Sequence, residues 1–225
     1  MNKYKSIKRA CEINDVIFNE IVNNFDFKTE KDIERYIKKR FKDFKVKQGY
    51  SPIVANNNVI IHPKPRNKGL KRGFLLLDFG SKYNDYCSDM TRTIFIGKAN
   101  NYERKLYNLI LNCQKKCLKK IKLGIPYCDL EIYSRILLKE YKPYFKHSLG
   151  HGVDKKVHAN PRVSLLSKDK AIKGDVITIE PGIYFEHKGK QIGIRIEDTI
   201  YVGNKIEVLC NSSKRLIEVQ LKHKG

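Results

Sequence analysis

The sequence predicts an α+β fold in which pairs of helices precede strands that pair in an antiparallel manner. Three observations carry this prediction. Apolar residues recur at helical spacing in the first third of the chain, short apolar runs separated by Asn, Pro and Gly begin at Gly49, and the order helix, helix, sheet occurs twice. A chain of 225 residues is long enough to bury one sizeable core, so we expect residues 1–225 to form a single domain.

The first third of the chain predicts two amphipathic helices. Between Ala10 and Ile21, apolar residues recur at steps of three and four, which places them on one helix face. The second helix is expected to begin just after Thr29, because Thr29 and Asp32 have the spacing of a capping box. Both helices would bury their apolar face against the sheet that follows.

Three short apolar runs after the second helix predict strands. They occupy residues 53–55, 59–61 and 74–77, with turn-forming residues between them. The third run ends in Asp78, and a further run at residues 91–96 follows a polar turn, so an antiparallel hairpin is the simplest interpretation. Asp78 and Asp89 would then face each other on paired strands, with both carboxylates on one side.

The second half of the chain repeats this order. Helices are predicted at about residues 103–123 and 129–141, and strands at residues 176–179 and 193–202. The sequence shows no low-complexity segment and no clear repeat, so only the doubled order suggests that two related halves are present.

Composition limits the function classes. The net charge is +22, from 46 Lys and Arg against 24 Asp and Glu, which favours weak binding to any polyanion. The basic residues are nevertheless spread thinly, and helix-turn-helix, RNP and Cys/His finger patterns are missing, so a dedicated nucleic-acid site is not predicted. The sequence contains no apolar run of signal-peptide or membrane-spanning length, and its six cysteines form no CxxC pair. We expect a cytoplasmic protein with reduced thiols and no membrane partner.

Acidic side chains that follow apolar runs are the first candidates for chemistry. Asp78, Glu180 and Glu197 each end such a run, and a buried carboxylate needs a compensating cation or hydrogen-bond donors. Two carboxylates held close together either share a proton or are neutralised by divalent cations. Ligation by Asp, Glu and His would suit Mn, Co, Fe or Zn.

Histidines cluster in a segment rich in small residues. Residues 147–158 contain His147, His151 and His158, half of the six histidines in the chain. Small residues allow the backbone to approach a ligand closely, and neutral imidazole is a common metal ligand. The clustering predicts a functional role for His151 in particular.

Five segments, in order, carry a family resemblance. They are Asp-Phe-Gly at 78–80, Tyr-Cys-Ser-Asp-Met-Thr-Arg-Thr at 86–93, the histidine segment at 147–158, Thr-Ile-Glu-Pro-Gly-Ile-Tyr at 178–184 and Gly-Ile-Arg-Ile-Glu-Asp-Thr at 193–199. Together these segments resemble the catalytic domain of the M24 metallopeptidases. Their details are more similar to the Xaa-Pro peptidases, aminopeptidase P and prolidase, than to methionine aminopeptidases.

The resemblance implies a pita-bread fold, in which two related halves form a curved antiparallel sheet with helices outside and the metals in the concave centre. It also implies two divalent metal ions and their ligands. Asp78 would be a terminal ligand, Asp89 and Glu197 would bridge both ions, and His151 with Glu180 would complete the second. A bridging hydroxide would attack the scissile carbonyl of a peptide substrate.

The same resemblance implies roles for the remaining candidates. Glu180 would relay a proton to the leaving nitrogen, and His62 and His158 would contact the substrate and its developing oxyanion. His147 would line the pocket. Arg195, two residues before Glu197 on what would be the same strand face, could hold a ligand carboxylate by a charge-assisted bond.

The chain departs from the Xaa-Pro peptidases in one respect. Most of them carry an extra N-terminal domain, which we expect to be absent here, and in its size the chain resembles methionine aminopeptidases. Two alternatives to an Xaa-Pro aminopeptidase therefore stay open. The first is removal of N-terminal methionine, and the second is a non-enzymatic module that binds a polyanion or the ribosome. No oligomeric state is predicted.

Overall fold

The structure, a computed structural model, describes residues 2–222. Its helices are α1 (Lys3–Asn23), α2 (Glu30–Asp43), α3 (Asn101–Lys120) and α4 (Tyr127–Leu137), followed by a 3₁₀ helix at Lys139–Tyr144. The capping box predicted at the start of α2 is confirmed: the Thr29 side chain accepts from the backbone N–H of Asp32, and the Asp32 carboxylate accepts from that of Thr29. A second capping box, from Asn100 and Glu103, begins α3.

Fourteen short strands lie within the described residues. They are β1 (Lys47–Gln48), β2 (Ile53–Asn56), β3 (Gly73–Asp78), β4 (Ser81–Tyr83), β5 (Tyr86–Cys87), β6 (Thr91–Ile96), β7 (Gly150–Gly152), β8 (Ala159–Val163), β9 (Val176–Ile179), β10 (Gly182–His187), β11 (Lys190–Arg195), β12 (Asp198–Val202), β13 (Ile206–Val208) and β14 (Glu218–Val219).

Two main sheets form the centre of the molecule. One has the order β14-β6-β3-β2 and the other the order β13-β12-β9-β7-β8, while β10 and β11 form a long hairpin and β1, β4 and β5 a small sheet. Pairing is antiparallel except between β14 and β6. The doubled order read from the sequence is thus present in the structure, since one sheet follows α1 and α2 and the other follows α3 and α4.

Each pair of helices covers its own half of the sheet system. The apolar residues of α1 and α2 are buried against β3 and β6 in one core cluster, and those of α3 and α4 are buried against β9 to β12 in another. Burial of this apolar surface, at about 25 cal/mol per Å², is the main stabilising contribution. The faces of the strands that the helices leave uncovered, and the strand ends, are free to present polar side chains.

Two of the strand predictions are wrong. Residues 59–61 form no strand, because Asn57 adopts a positive φ of 48° that ends β2. The following loop packs on β11, where the Asn58 carbonyl lies close to Gly193, and leaves Ile60 60% exposed. Asp78 faces Thr91 across the β3–β6 pair and not Asp89, which lies outside the strands in the loop before β6. A second small hairpin, β4–β5, occupies the intervening residues.

Two further observations concern composition. All six cysteines are free thiols, and Cys113 and Cys117 are buried in the core. Among the described helices, none combines the length and the hydropathy that crossing a bilayer requires.

Candidate functional site

Strands and the loops between them bring the five predicted ligands together. Asp78 is the last residue of β3, Asp89 lies between β5 and β6, His151 is the centre of β7, Glu180 directly follows β9, and Glu197 lies between β11 and β12. Each half of the molecule supplies part of the set, so the site lies where the two halves meet.

The side chains converge closely. The donor atoms of Asp89, His151 and Glu197 all lie within 4.8 Å of one another. His151 Nε2 is 3.5 Å from Asp89 Oδ2 and 3.4 Å from Glu180 Oε1. Four of the five residues are at least nine-tenths buried, and Glu180 is slightly more exposed.

His151 presents the lone pair that metal ligation requires. Its Nδ1 lies 3.1 Å from the carbonyl oxygen of Gly152, which can only accept a hydrogen bond, so Nδ1 carries the proton. Nε2 is then unprotonated and faces the carboxylates. Burial, followed by the nearby His158, lowers the pKa of His151 to about 3, which keeps the imidazole neutral.

Tyr50 links the two aspartates. Its hydroxyl contacts Oδ1 of both Asp78 and Asp89, so it can donate its proton to either carboxylate. Sequence reasoning missed this residue. Tyr50 stands in a loop before β2, and nothing in its neighbourhood distinguishes it from an ordinary loop tyrosine.

Arg195 contacts a carboxylate predicted to be a metal ligand, although the geometry differs from the prediction. It ends β11, so Arg195 and Glu197 do not share a strand face, and its Nη2 donates instead to Asp78 Oδ2. Its Nε donates to Thr91 Oγ1 at 3.0 Å, and Thr91 donates to Glu197 Oε2 at 2.7 Å. Arg195 therefore orients Asp78 directly and Glu197 through Thr91.

The carboxylates repel one another electrostatically. Burial, and then the charges of neighbouring acids, raise the pKa of Asp89 and Glu180 well above the usual range, and the pKa of Glu197 to about 8. Divalent cations would remove this penalty by compensating the negative charge. The donor set of four carboxylates and one neutral imidazole therefore fits divalent ions such as Mn²⁺ or Zn²⁺.

The pKa shifts predict how stability depends on pH in protein stripped of metal by a chelator. The carboxyl of Glu197 holds its proton to about pH 8 in the folded state and to about 4.5 in the unfolded state, so its contribution to stability is lost as pH rises between these values. The pKa of His147 and of His151 is about 3 in the folded state and about 6.5 in the unfolded state. Both histidines therefore raise stability as pH rises towards 6.5, and they have no further effect above it. From pH 6.5 to 8, the urea midpoint should therefore fall, and adding Mn²⁺ should abolish the fall. A midpoint that rises over this interval without metal would contradict the electrostatic account.

The other predicted histidines surround this cluster. The His158 ring lies perpendicular to that of His151, with centroids 4.3 Å apart. His147 Nδ1 is 2.9 Å from the Ser148 carbonyl and 3.8 Å from Glu180 Oε2. His62 lies in the exposed loop after β2, where partial burial and the charge of Arg195 lower its pKa.

Tyr184 is a second tyrosine that contacts site residues. It is fully buried; its hydroxyl accepts from Arg195 Nη1 at 2.5 Å, and its ring lies 5.5 Å from that of His147. Tyr86 instead packs in the core cluster of the first two helices, with Lys155 above its ring. Of these two tyrosines, Tyr184 is the one with contacts to site residues.

A family model decides the classification. The model for metallopeptidase family M24 matches residues 5–204. The chain belongs to family M24. The resemblance inferred from the five segments is thereby confirmed.

Several similar proteins are named as Xaa-Pro dipeptidases or prolidases. The M24 chain is 36% identical over 223 residues to the Xaa-Pro dipeptidase of Pyrococcus horikoshii, covering 96% of this chain and 61% of that protein. Among solved structures, it is similar to the prolidase of Pyrococcus horikoshii OT3, with a TM-score of 0.90, 34% identity, and coverage of 96% of this chain and 63% of that one. The X-Pro aminopeptidase of Thermotoga maritima gives a TM-score of 0.90 at 31% identity, with 96% and 62% covered.

Two conclusions follow for the M24 chain. The α+β, pita-bread fold that the resemblance implied is confirmed by these structural neighbours. The chain spans about three fifths of the length of the relatives it matches, 61% for the first two.

The Tyr50 hydroxyl gives a prediction for the M24 site. Tyr50→Phe removes the donor shared by Asp78 and Asp89 without changing the ring, so the two carboxylates lose the group that fixes their spacing. We expect Mn²⁺ affinity to fall by about tenfold to a hundredfold, as is typical for lost outer contacts to metal ligands. Titration calorimetry with Mn²⁺ would measure this. Tyr83→Phe, at a half-buried tyrosine outside the cluster, is the control, and equal affinities in both variants would show that Tyr50 has no such role.

Proposed function

We propose that this M24 chain is a metal-dependent aminopeptidase or dipeptidase that hydrolyses an N-terminal Xaa-Pro peptide bond. One observation carries the proposal. Asp89, His151 and Glu197 converge in a buried site, with Glu180 beside His151 and Asp78 joined to Asp89 through Tyr50. Burial and the charges of neighbouring acids raise the pKa of three of these acids. Such a site is costly without cations. The Xaa-Pro dipeptidase and prolidase names of similar proteins support the choice of substrate.

We assign two divalent ions, of Mn, Co, Fe or Zn, to Asp78, Asp89, His151, Glu180 and Glu197. When bound, these ions would supply the Lewis acidity that lowers the pKa of water towards neutrality and polarises a peptide carbonyl. The protein's own contribution is to hold the five side chains in place. Arg195, Thr91 and Tyr50 do this for Asp78, Asp89 and Glu197 through the contacts described above.

Glu180 is placed to move a proton. It lies at the end of β9, and its Oε1 accepts from Thr178 Oγ1 at 3.2 Å, while Thr178 Oγ1 accepts from the backbone N–H of His151 at 3.1 Å. A carboxylate within reach of the nucleophile can take its proton and give it to the leaving nitrogen. We assign it this role.

The surrounding histidines are assigned to the substrate. His147 donates from Nδ1 to the Ser148 carbonyl, so its Nε2 is a hydrogen-bond acceptor; this atom is buried and has no partner among the described residues. It is suited to accept from an N–H or amine of the substrate. His158 and His62, on the more exposed side of the cluster, are suited to donate to the developing oxyanion.

A peptidase screen tests this function. Peptides of the Ala-Pro and Met-Ala types are assayed side by side with Mn, Co, Fe or Zn, and we expect metal-dependent cleavage of the Ala-Pro type. Preferred cleavage of the Met-Ala type would favour a methionine aminopeptidase instead. If no metal gives turnover of either peptide, the enzymatic proposal fails, and salt-sensitive RNA binding that survives Asp89→Ala would then support a polyanion-binding module.

A further inference from the structure

A second cavity lies away from the candidate metal site. It has a volume of about 910 Å³ and is bounded by the turn of the β10–β11 hairpin, the segment from Asn56 to Gly73 and the start of α3. We call it the basic cleft and define it by the lining residues Lys68, Lys71, Arg72, Tyr102, Lys188 and Lys190. Its volume lies within the range of small-molecule binding sites.

The basic cleft is separate from the metal site. Gly73 and Lys190 line it, whereas Asp78 and Arg195, at the other ends of β3 and β11, belong to the metal site. Five residues of extended strand span about 16 Å. A small apolar cluster that includes Leu76 and Tyr184 fills part of the space between the two sites.

Positive charge in the basic cleft exceeds negative charge. Two arginines are neutralised, because Arg66 pairs with Glu30 at 2.5 Å and Arg72 with Glu103 at 2.6 Å. The four lysines, Lys68, Lys71, Lys188 and Lys190, are exposed and have no carboxylate within 4.0 Å among residues 2–222. The one other acid in the lining is Glu186. The cleft therefore gathers like charges whose repulsion an anionic ligand would relieve.

The floor of the cleft is fixed in place by polar contacts. The buried Glu30 carboxylate accepts from the backbone N–H groups of Asn56 at 2.8 Å and Arg66 at 2.6 Å. The Asn56 side chain accepts from the N–H of Lys71 at 2.7 Å and donates to its carbonyl at 3.0 Å. The backbone beneath Lys71 is thereby held in one conformation, so the cleft is formed before any ligand arrives.

An aromatic pair forms one wall. The rings of Tyr102 and His187 are stacked, with centroids 4.7 Å apart and an angle of 29° between their planes. Tyr102 also lies in the first turn of α3, whose positive end favours anions. A flat aromatic wall beside several ammonium groups is suited to a planar ring that carries phosphates.

We propose that the basic cleft binds a multiply phosphorylated molecule of nucleotide size. The four lysines contact the phosphates as point charges, and the Tyr102–His187 pair contacts the planar group. This site does not depend on the proposed peptidase function, because none of its residues belongs to the metal cluster.

Binding of ATP and inorganic tripolyphosphate to the full chain tests the proposal. Titration calorimetry at about 150 mM salt would compare the wild type with a variant in which Lys68, Lys71, Lys188 and Lys190 are all changed to Ala. Each lysine should contribute on the order of two- to threefold, so the affinity should fall by about thirtyfold. The matched control changes Lys115, Lys116, Lys119 and Lys120, which are exposed on α3, to Ala and alters the net charge equally.

The control distinguishes specific binding in the basic cleft from non-specific electrostatic binding of phosphates to a basic surface. A fall confined to the cleft variant supports the proposal, and tighter binding of ATP than of tripolyphosphate supports the aromatic contact. Equal falls in both variants would mean diffuse attraction to a basic surface. Binding that survives the cleft substitutions would place the phosphates elsewhere, for example at the metal ions, and failure of the wild type to bind either probe would show that the cleft is no phosphate site; each of these outcomes overturns the proposal.

Discussion

Glu197→Gln should reduce the kcat/KM for an Ala-Pro peptide by at least about a thousandfold. Glu197 is buried, its donor atom lies within 4.8 Å of those of Asp89 and His151, and we assign it as a ligand shared by both ions. Changing the outer contacts of a metal ligand costs about tenfold to a hundredfold, so losing the charge of a shared ligand should cost more. Gln has the same shape and can still accept from Thr91 Oγ1, so the fold should persist.

A matched substitution shows whether a loss of activity is specific to Glu197. Glu140→Gln makes the same change in the 3₁₀ helix, at an exposed residue outside the site, and should leave kcat/KM unchanged. Thermal unfolding of both variants in chelator would show whether either is misfolded. If Glu197→Gln retained more than about a tenth of the wild-type activity at saturating metal, Glu197 would not be a shared ligand.

Asp198→Ala should destabilise the fold by about 3–5 kcal/mol, because it breaks a buried ion pair by removing one partner. Asp198 is fully buried and receives hydrogen bonds from Arg92 Nη2 at 2.7 Å, Lys214 Nζ at 2.5 Å and Gln114 Nε2 at 2.7 Å. Arg92 is buried as well and also donates to the carbonyls of Thr91 and Glu197. The network thus joins β6 to β12 directly behind the candidate metal site.

Urea unfolding measures this loss, and an exposed pair provides the control. Asp43→Ala breaks the pair with Arg40, in which the Asp43 side chain is 43% exposed, and should cost less than about 1 kcal/mol. For a chain of this size, the loss at Asp198 corresponds to a fall of about 6–20 °C in Tm. Similar small effects in both variants would show that the Arg92–Asp198 network contributes little to stability.

Local features of the fold could be predicted from the sequence because local physics determines them. The capping box at Thr29 and Asp32 and the helical period from Ala10 to Ile21 each involve residues within one element, and both are present. The prediction of a strand at residues 59–61 is wrong because apolar residues also occur in loops that pack on a neighbouring strand. Asn57, with its positive φ, ends β2 regardless of the apolar residues after it.

The sequence points to side chains that the structure brings together, but not to the contacts that connect them. Asp78, Glu180 and Glu197 each end an apolar run. An acid at such a position is expected to be buried, and a buried charge needs a compensating partner. By contrast, the contact between Arg195 and Asp78 joins residues 117 positions apart, and the Tyr50 hydroxyl reaches two aspartates from a separate loop. Contacts of this kind depend on how the two halves pack, which a single sequence does not display.

The most direct test of the account is to count the metal ions that the protein binds. Protein stripped by a chelator is dialysed to equilibrium against Mn²⁺, and the bound metal is measured for the wild type and for a variant with Asp89→Asn and Glu197→Gln. We expect two ions per chain in the wild type and a loss of both in the variant, since these acids are assigned to both ions. Failure of the wild type to retain Mn²⁺, Co²⁺, Fe²⁺ or Zn²⁺, or equal retention in the variant, would contradict the central claim that these buried acids form a site for divalent cations.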